Sequence, residues 1–273
     1  MSIGINILLN GRIYNLRSTA LPGGTGVIGQ GILRPEETNV AVKVCRCAGT
    51  SNQQVGEHVV REVQTLASLQ HENILPILGI VTEFSGISMV TPWRERGNAN
   101  DYVQDVNVDP RPLLRGIANG LSYLHSHNPG PIVHGNLKGT NVLISDDGSP
   151  QLTDICCSFT SPPGMQDNSV SCALRWMAPE RIDGNGEVNT KDDVWAFGMM
   201  ALELFTRGLP FYNISERQGV ILRILEGPPD RPSNQSTHSR MSDEWWSMCL
   251  SCWDVNPSTR PQMFDVMEAI PDE

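Results

Sequence analysis

Runs of apolar residues in the first third of the chain are typical of β-strands. Residues 40–44 read Val-Ala-Val-Lys-Val, which indicates a buried strand that contains one cation. Further strands are expected at 75–81 and 89–93, where apolar runs end in turn-forming or polar residues. Two shorter strands are predicted around 142–144 and 151–152, separated by a polar turn.

Helical spacing of apolar residues dominates the rest of the chain. Apolar side chains recur every three or four positions in 53–69 and 111–127, as in a helix with one buried face. Residues 193–205 are apolar almost all round, which indicates a helix buried on every side. Helices near 242–252 and 261–269 complete the pattern, so strands precede helices along the chain.

Composition and charge exclude some classes of function. The chain has 273 residues and a net charge of −10, whereas nucleic-acid and anionic-membrane binders need a basic surface. No apolar run reaches the ~18 residues of a membrane span. Its start lacks the pattern of a signal peptide. Seven cysteines at irregular spacing favour free thiols. We therefore expect a cytoplasmic or nuclear protein that binds neither nucleic acid nor a membrane.

One polar stretch carries the strongest chemical signal. Residues 134–141 read His-Gly-Asn-Leu-Lys-Gly-Thr-Asn, and Asp154 follows the second of the short strands. This stretch resembles the catalytic loop of protein kinases, H-R-D-L-x-x-x-N, which precedes a metal-binding Asp-Phe-Gly. Asn136 stands where that pattern has its catalytic Asp.

The resemblance to the tyrosine-kinase-like branch of protein kinases extends from about Leu21 to Met267. It rests on ordered matches at Val40-Ala41-Val42-Lys43, Glu62, 134–141, Asp154, Arg175–Glu180, Asp193–Gly198, Cys252-Trp253, Asn256-Pro257 and Arg260-Pro261. It implies a bilobal α+β protein-kinase-like fold over residues 1–273 as a single domain. The β-rich N-lobe would cover about 1–93, a connector 94–100, and the mainly helical C-lobe 101–273.

The resemblance also implies a site for ATP and Mg²⁺. Lys43 would pair the α- and β-phosphates and Glu62 would hold Lys43. Asn141 and Asp154 would bind Mg²⁺, which prefers oxygen ligands. Lys138 would lie near the transferred phosphate.

Apolar surface and backbone would complete the nucleotide site. The implied adenine contacts are Ile28, Ala41 and Leu143, with Thr91 at the back of the pocket and the main chain of Pro92 and Arg94 at the adenine edge. Gly23 and Gly26 belong to a glycine cluster that could fold over phosphates or form a plain hairpin turn.

Several residues depart from the kinase pattern in ways that affect chemistry. The neutral amide of Asn136 cannot accept the proton of a substrate hydroxyl as a carboxylate does. Ala173 removes an activation-segment hydroxyl, and Ile155-Cys156 replace Phe-Gly. Gly135 replaces the arginine that would read a phosphorylated activation loop. The retained Lys43, Glu62, Lys138, Asn141 and Asp154 predict a domain that binds ATP and Mg²⁺. The changes predict that it transfers phosphate poorly and acts on a protein partner.

Two alternatives remain open from the sequence. An active serine/threonine kinase would retain Lys138 as its phosphate-binding residue, and a pure interaction domain would bind no nucleotide. The spacing of Cys249 and Cys252 resembles half of a zinc site, but no second ligand pair follows, so buried thiols are expected. The resemblance to protein kinases also implies a buried ion pair between Glu180 and Arg260.

Overall fold

A computed structural model describes residues 8–19, 28–44, 63–83, 87–155, 173–182 and 188–271. Within these ranges the chain divides into two compact units. One unit contains the described residues up to 94 except 71–73, and the other contains 71–73 together with the described residues from 95 onward. The second unit therefore takes three residues from the middle of the first.

The first unit is built on a five-stranded antiparallel sheet. Its strands are β1 (Ile13–Thr19), β2 (Ile28–Leu33), β3 (Thr38–Val44), β4 (Gly79–Val81) and β5 (Ser88–Pro92). Their spatial order is β1-β2-β3-β5-β4, so β3 lies in the middle of the sheet. Of the strand predicted at 75–81, only the last three residues form β4. Pro76, near the start of the predicted strand, has no N–H to donate to a neighbouring strand.

One face of this sheet carries the core of the first unit. Val40 and Val42 alternate with less buried residues along β3, and they pack with Val90 of β5. A helix, α1, is described over residues 63–68, where Val63 packs against Ile80. The rest of the helix predicted over 53–69 lies outside the described residues.

The second unit is mainly helical. Its helices are α2 (Ala99–Tyr102), α3 (Pro110–His125), α4 (Pro179–Ile182), α5 (Thr190–Thr206), α6 (Arg217–Leu225), α7 (Asp243–Cys252) and α8 (Met263–Ala269). Helix α5 is buried from Asp192 to Phe205, as its apolar sequence predicts. Asn189 caps α5 through a reciprocal pair of side-chain and backbone bonds with Asp192, which typically stabilises a helix by about 1 kcal/mol.

A short hairpin joins the helices to the polar stretch at 134–141. It consists of β6 (Val142–Ile144) and β7 (Pro150–Leu152), paired antiparallel as predicted. Asn73 holds β7, because its side-chain amide donates to Pro150 O at 3.0 Å and its carbonyl accepts from Leu152 N at 2.8 Å. Gly120 of α3 permits this approach, since a Cβ there would lie 2.9 Å from Asn73 O.

The predicted α+β class is confirmed, with a β-rich unit first and a helical unit second. Helices α3, α7 and α8 lie within two residues of their predicted bounds at each end, and α5 begins three residues before its predicted start. The sequence analysis did not identify α6, in which Gly219 interrupts a weak pattern. No helix in the described part of the chain is long and apolar enough to cross a membrane.

Candidate functional site

In the first unit, strand register gathers four predicted site residues on one face of the sheet. Ile28 of β2 pairs with Lys43 of β3, and Ala41 of β3 pairs with Thr91 of β5. Directly paired residues point to the same face, and this face is opposite to that of Val40 and Val42. The structure thus brings one cation and three small or apolar side chains onto a single surface.

The remaining predicted residues of the first unit have different outcomes. Arg94 lies two residues beyond the end of β5, and Trp93 N donates to Asn39 O at 3.0 Å, which fixes the backbone there. Glu62, Gly23 and Gly26 lie outside the described residues, so their assigned roles stay predictions.

In the second unit, Asp193 fixes the backbone of the polar stretch. Its carboxylate accepts hydrogen bonds from His134 N at 2.7 Å and Gly135 N at 2.8 Å, and it lies 2.8 Å from Nε2 of His125. Asp193 is only 1% exposed, so its charge is stabilised by these donors rather than by water. The loop is held from the first turn of α5.

Gly135 occupies a backbone conformation that suits glycine. Its φ is +68°, in the left-handed region, where a side chain costs about 1–2 kcal/mol. Its amide is also one of the two that bind Asp193. Glycine at this position therefore avoids the backbone strain that a side chain would incur where the loop is anchored.

The predicted metal ligands are arranged by backbone contacts. The side-chain amide of Asn141 donates to Asn136 O at 2.7 Å, which leaves Oδ1 of Asn141 as its remaining acceptor. Thr153 N donates to Asn141 O at 3.0 Å, and Asp154 follows with a φ of +57°. Asn141 and Asp154 thus come from two segments that hydrogen bonding joins.

This donor set fits Mg²⁺. The two side chains offer an amide oxygen and a carboxylate, and Mg²⁺ commonly uses one or two carboxylates together with water and phosphate oxygens. Across the described ranges no cluster of three or more His, Cys, Asp or Glu could hold a metal by itself. A metal at Asn141 and Asp154 would therefore depend on ligands from a bound phosphate or from solvent.

His134 is a neutral structural residue in this loop. It is fully buried, and burial lowers its pKa, which the charges of Asp193 and Asp154 counteract only in part. Its Nδ1 accepts a hydrogen bond from Asn136 N at 3.3 Å. His134 is therefore packed within the loop, and Asn136 is left with a half-buried side chain beside it.

Lys138 lies next to a second buried carboxylate of α5. Glu203 is 0% exposed and accepts from Gly139 N at 2.9 Å and from Trp176 Nε1 at 2.8 Å. Asn100 of α2 donates to its other oxygen at 2.9 Å. Burial raises the pKa of Glu203, while these donors and the charge of Lys138 act in the opposite direction. Lys138 itself is only 6% exposed.

The predicted pair of Glu180 and Arg260 is confirmed. Arg260 Nη1 and Nη2 donate to the two carboxylate oxygens at 2.6 and 2.8 Å, and the arginine side chain is 0% exposed. Arg175 contacts the backbone near Phe211 through three carbonyl oxygens. The segment from Arg175 to Glu180 is therefore attached at both of its ends to other parts of the helical unit.

The two cysteines of α7 are buried thiols, as expected. Burial raises the pKa of Cys252 to about 12 and that of Cys249 well above its ordinary value. Thiolates are the form that binds zinc, so this environment opposes a metal site. Cys45, Cys47, Cys156 and Cys157 lie outside the described residues.

A comparison with protein families matches residues 22–270 to the protein kinase domain. The match covers most of the chain. The chain belongs to the protein kinase family. In this kinase domain, the nucleotide and metal roles assigned to Lys43 and to the loop at 134–141 stay predictions.

Curated relatives include kinases of more than one specificity. The domain is 30% identical over 259 residues to "Probable serine/threonine-protein kinase roco9" of Dictyostelium discoideum, covering 91% of this chain and 7% of the relative. It is 25% identical over 242 residues to "Cell division control protein 7" of Schizosaccharomyces pombe, covering 87% and 22%. It is 28% identical over 241 residues to the mouse "Megakaryocyte-associated tyrosine-protein kinase", covering 85% and 44%. The chain thus spans less than half the length of these three relatives.

Sequence reasoning missed two residues that organise the kinase domain's loop. Asp193 was matched only as part of a motif, and Glu203 was not singled out. Both are carboxylates within an otherwise apolar helix, and a buried charge requires partners. That signal was available in the sequence, although it does not say which distant backbone amides supply the hydrogen bonds.

Proposed function

We propose that this kinase domain binds ATP with Mg²⁺ and transfers phosphate poorly, so that it acts on protein partners mainly through binding. The observation that carries the proposal is a contrast among the residues of the loop at 134–141 and the nearby Asp154. Asn141 and Asp154 offer oxygen ligands, Lys138 is retained, and Asn136 presents a neutral amide at the position of the proton acceptor. The chain thus keeps the groups that would bind metal and phosphate and lacks the carboxylate that would accept the proton.

The residues of the chain have distinct roles in this proposal. Lys43 provides a positive charge for phosphates on the sheet face of the first unit, and Ile28 and Ala41 provide apolar surface beside it. Asn141 and Asp154 would hold Mg²⁺, whose charge neutralises phosphate oxygens when it is bound. Asn136 can orient a hydroxyl by hydrogen bonding but does not remove its proton.

The expected loss of rate has a defined size. A general base contributes about 10²–10⁴-fold to a typical reaction. Phosphoryl transfer depends mostly on positioning and electrostatics, so some transfer is compatible with an amide at this position. We therefore expect slow transfer rather than none. The second candidate function is an active serine/threonine kinase, which the retained Lys138 favours.

We also propose that residues 1–273 form one domain of the tyrosine-kinase-like branch. The support is the run Arg175-Trp176-Met177-Ala178-Pro179-Glu180 and the Asp193-Val194-Trp195 motif that follows it. The relatives include serine/threonine and tyrosine kinases by name, so the branch rests on these motifs. A cytoplasmic or nuclear location remains part of the proposal.

Thermal unfolding with and without Mg-ATP tests the binding half. A ligand at 100 times its Kd stabilises the folded state by about 2.7 kcal/mol, or roughly 5–10 °C for a domain of this size. Asp154→Asn is the matched variant, because it keeps the shape of the side chain and removes its charge. A shift of equal size in both proteins, or no shift in either, would reject metal-nucleotide binding at this site.

Transfer of radiolabelled phosphate to a general protein substrate tests the catalytic half. Asn136→Asp should raise the rate by about 10²–10⁴-fold if the base is the missing group. Rapid transfer by the unaltered domain would instead establish the second candidate. A domain that binds Mg-ATP but gains nothing from Asn136→Asp would show that other departures limit the rate.

A further inference from the structure

Asp192, the residue before the loop anchor Asp193, is buried with only one of its oxygens satisfied. It is 8% exposed. Its Oδ2 accepts from Asn189 N at 3.0 Å and lies 3.7 Å from Nε of Arg181. Its Oδ1 is buried and receives no hydrogen bond from the residues described. An unsatisfied buried polar atom costs about 1–3 kcal/mol, and more if it is charged.

A second carboxyl group provides the missing partner. Arg260 Nη1 donates to Glu180 Oε1 at 2.6 Å and to Lys191 O at 3.1 Å, which brings Glu180 of α4 beside the residue that precedes Asp192. A hydrogen bond with Asp192 is among the causes that lower the pKa of Glu180. Two ionised carboxylates cannot form this bond, because neither has a proton to donate. Glu180 is committed to the bidentate contact with Arg260, which favours its ionised form. The proton that the pair requires therefore belongs on Asp192.

We propose that Asp192 and Glu180 share one proton in the folded protein, carried by Oδ1 of Asp192, and that its loss weakens the attachment of α4 to α5. A protonated Oδ1 would donate to the Glu180 carboxylate, and the orphaned oxygen would become a satisfied donor. Loss of the proton places two negative charges side by side in a largely buried position. The Arg260–Glu180 contact is then left to balance a repulsion that it does not face at lower pH.

The neighbouring charges do not neutralise Asp192. The charged groups that act on the pair are Arg181 of α4, Asp193 of α5 and Arg260 from the segment before α8. Lys191 donates to Arg260 O and Pro261 O, so its ammonium is engaged elsewhere. Nε of Arg181 lies 3.7 Å from Oδ2 of Asp192. Oδ1 receives no hydrogen bond from any cation among the described residues.

The electrostatics of each carboxyl group agree with this arrangement. Burial raises the pKa of Asp192 to about 6, and the charges of Glu180 and Asp193 add to the rise, against the Asn189 amide and Arg181. For Glu180, burial alone would raise the pKa, but the hydrogen bonds from Arg260 outweigh it and hold the pKa below its ordinary value. The two groups thus separate into an acid and an anion.

The sign of the pH effect follows from linkage. Asp192 has an ordinary pKa of 3.8 in the unfolded chain and a raised one in the folded protein, so the folded state binds the proton more tightly. Its cost is absent below the unfolded pKa and complete above the folded pKa. Between about pH 5 and pH 7.5, this one group should lower the folding equilibrium constant by about tenfold.

Unfolding of three proteins across this pH range tests the proposal. Asp192→Asn keeps the shape, provides an amide N–H for Glu180 and cannot titrate. Asp230→Asn removes the same charge from a side chain that is 99% exposed and serves as the control. The wild type and Asp230→Asn should lose about tenfold in folding equilibrium constant between pH 5 and pH 7.5 relative to Asp192→Asn. Parallel pH profiles for all three would overturn the proposal.

Two measurements on the wild-type protein do not depend on how a variant folds. Carboxyl ¹³C NMR should show one aspartate that titrates about two pH units above its ordinary range. Amide hydrogen exchange, corrected for its intrinsic pH dependence, should show that residues 179–182 lose protection as this group ionises. If every aspartate titrates below about pH 5, the shared proton is refuted. If protection at residues 179–182 does not change, the weakened attachment of α4 is refuted.

Discussion

Asp192 and Asp193 are adjacent residues at the start of one helix, and they are buried in different ways. Asp193 receives two backbone N–H groups and lies beside His125, so its charge is surrounded by donors. Asp192 receives one N–H group and faces another carboxyl group. Two adjacent buried carboxyl groups of one helix thus differ in the number of donors that satisfy them. Asp193 fixes a loop, and the proton proposed for Asp192 follows from its smaller number of donors.

Removal of each aspartate in turn should give the largest contrast. Asp193→Ala leaves two backbone amides of the loop and the His125 ring without their acceptor, and we expect a loss of about 3–5 kcal/mol in the free energy of unfolding. Asp192→Ala removes a repulsion together with one cap, so its cost near neutral pH should be much smaller. Urea denaturation of both variants measures this difference, and equal losses would contradict the comparison.

Gly139→Ala tests how tightly the second buried carboxylate of α5 is held. A Cβ at Gly139 would lie 2.8 Å from Oε1 of Glu203, whose donors come from three segments and leave it little room to move. We expect a loss of about 1–3 kcal/mol from overpacking. Gly130→Ala is the control, because a Cβ there meets nothing within 4 Å. Similar melting temperatures for the two variants would mean that Glu203 yields easily.

Gly135→Ala should cost about 1 kcal/mol, because its φ of +68° is unfavourable for a residue with a Cβ. Gly135→Asn should cost less, since asparagine tolerates the left-handed region better than alanine. Thermal unfolding of the two variants gives the ranking. If alanine is tolerated better than asparagine, backbone strain is not what glycine relieves at this position.

The smallest effect is expected at an exposed ion pair. Arg231 and Asp243 approach to 2.6 Å, but their side chains are 39% and 86% exposed. Water and salt screen such a pair, so a double-mutant cycle should give a coupling of about 0.2–1 kcal/mol. A coupling near that lost in Asp193→Ala would show that proximity, rather than the donors and burial, sets the energy.

Much of this architecture could be predicted from the sequence, because apolar periodicity reports directly on burial. The all-round apolar run at 193–205 predicted α5, and the hairpin of β6 and β7 followed from two short apolar runs. Helix α6 was not identified, since Gly219 and a mixed surface weaken its signal. Pattern-based prediction thus succeeds where one face is clearly apolar.

The polar contacts of the site could not be predicted to the same extent. Asp192 and Asp193 are the same residue type at consecutive positions, and their different roles depend on partners 12 and 59 residues away in the sequence. The Asn136–Asn141 contact likewise depends on a turn whose geometry the residue types alone do not fix. Residue identity limits what chemistry is possible, whereas three-dimensional neighbours select among the possibilities.

The position of Asn73 has a consequence for dividing the molecule. Residues 71–73 belong to the helical unit although strands of the other unit precede and follow them in the chain. A fragment that begins at residue 95 would lack the amide and carbonyl that bind Pro150 and Leu152, and a fragment that ends at residue 94 would carry Asn73 without them. A single cut therefore cannot yield both halves in intact form, and separate expression of the helical half requires a graft of this tripeptide.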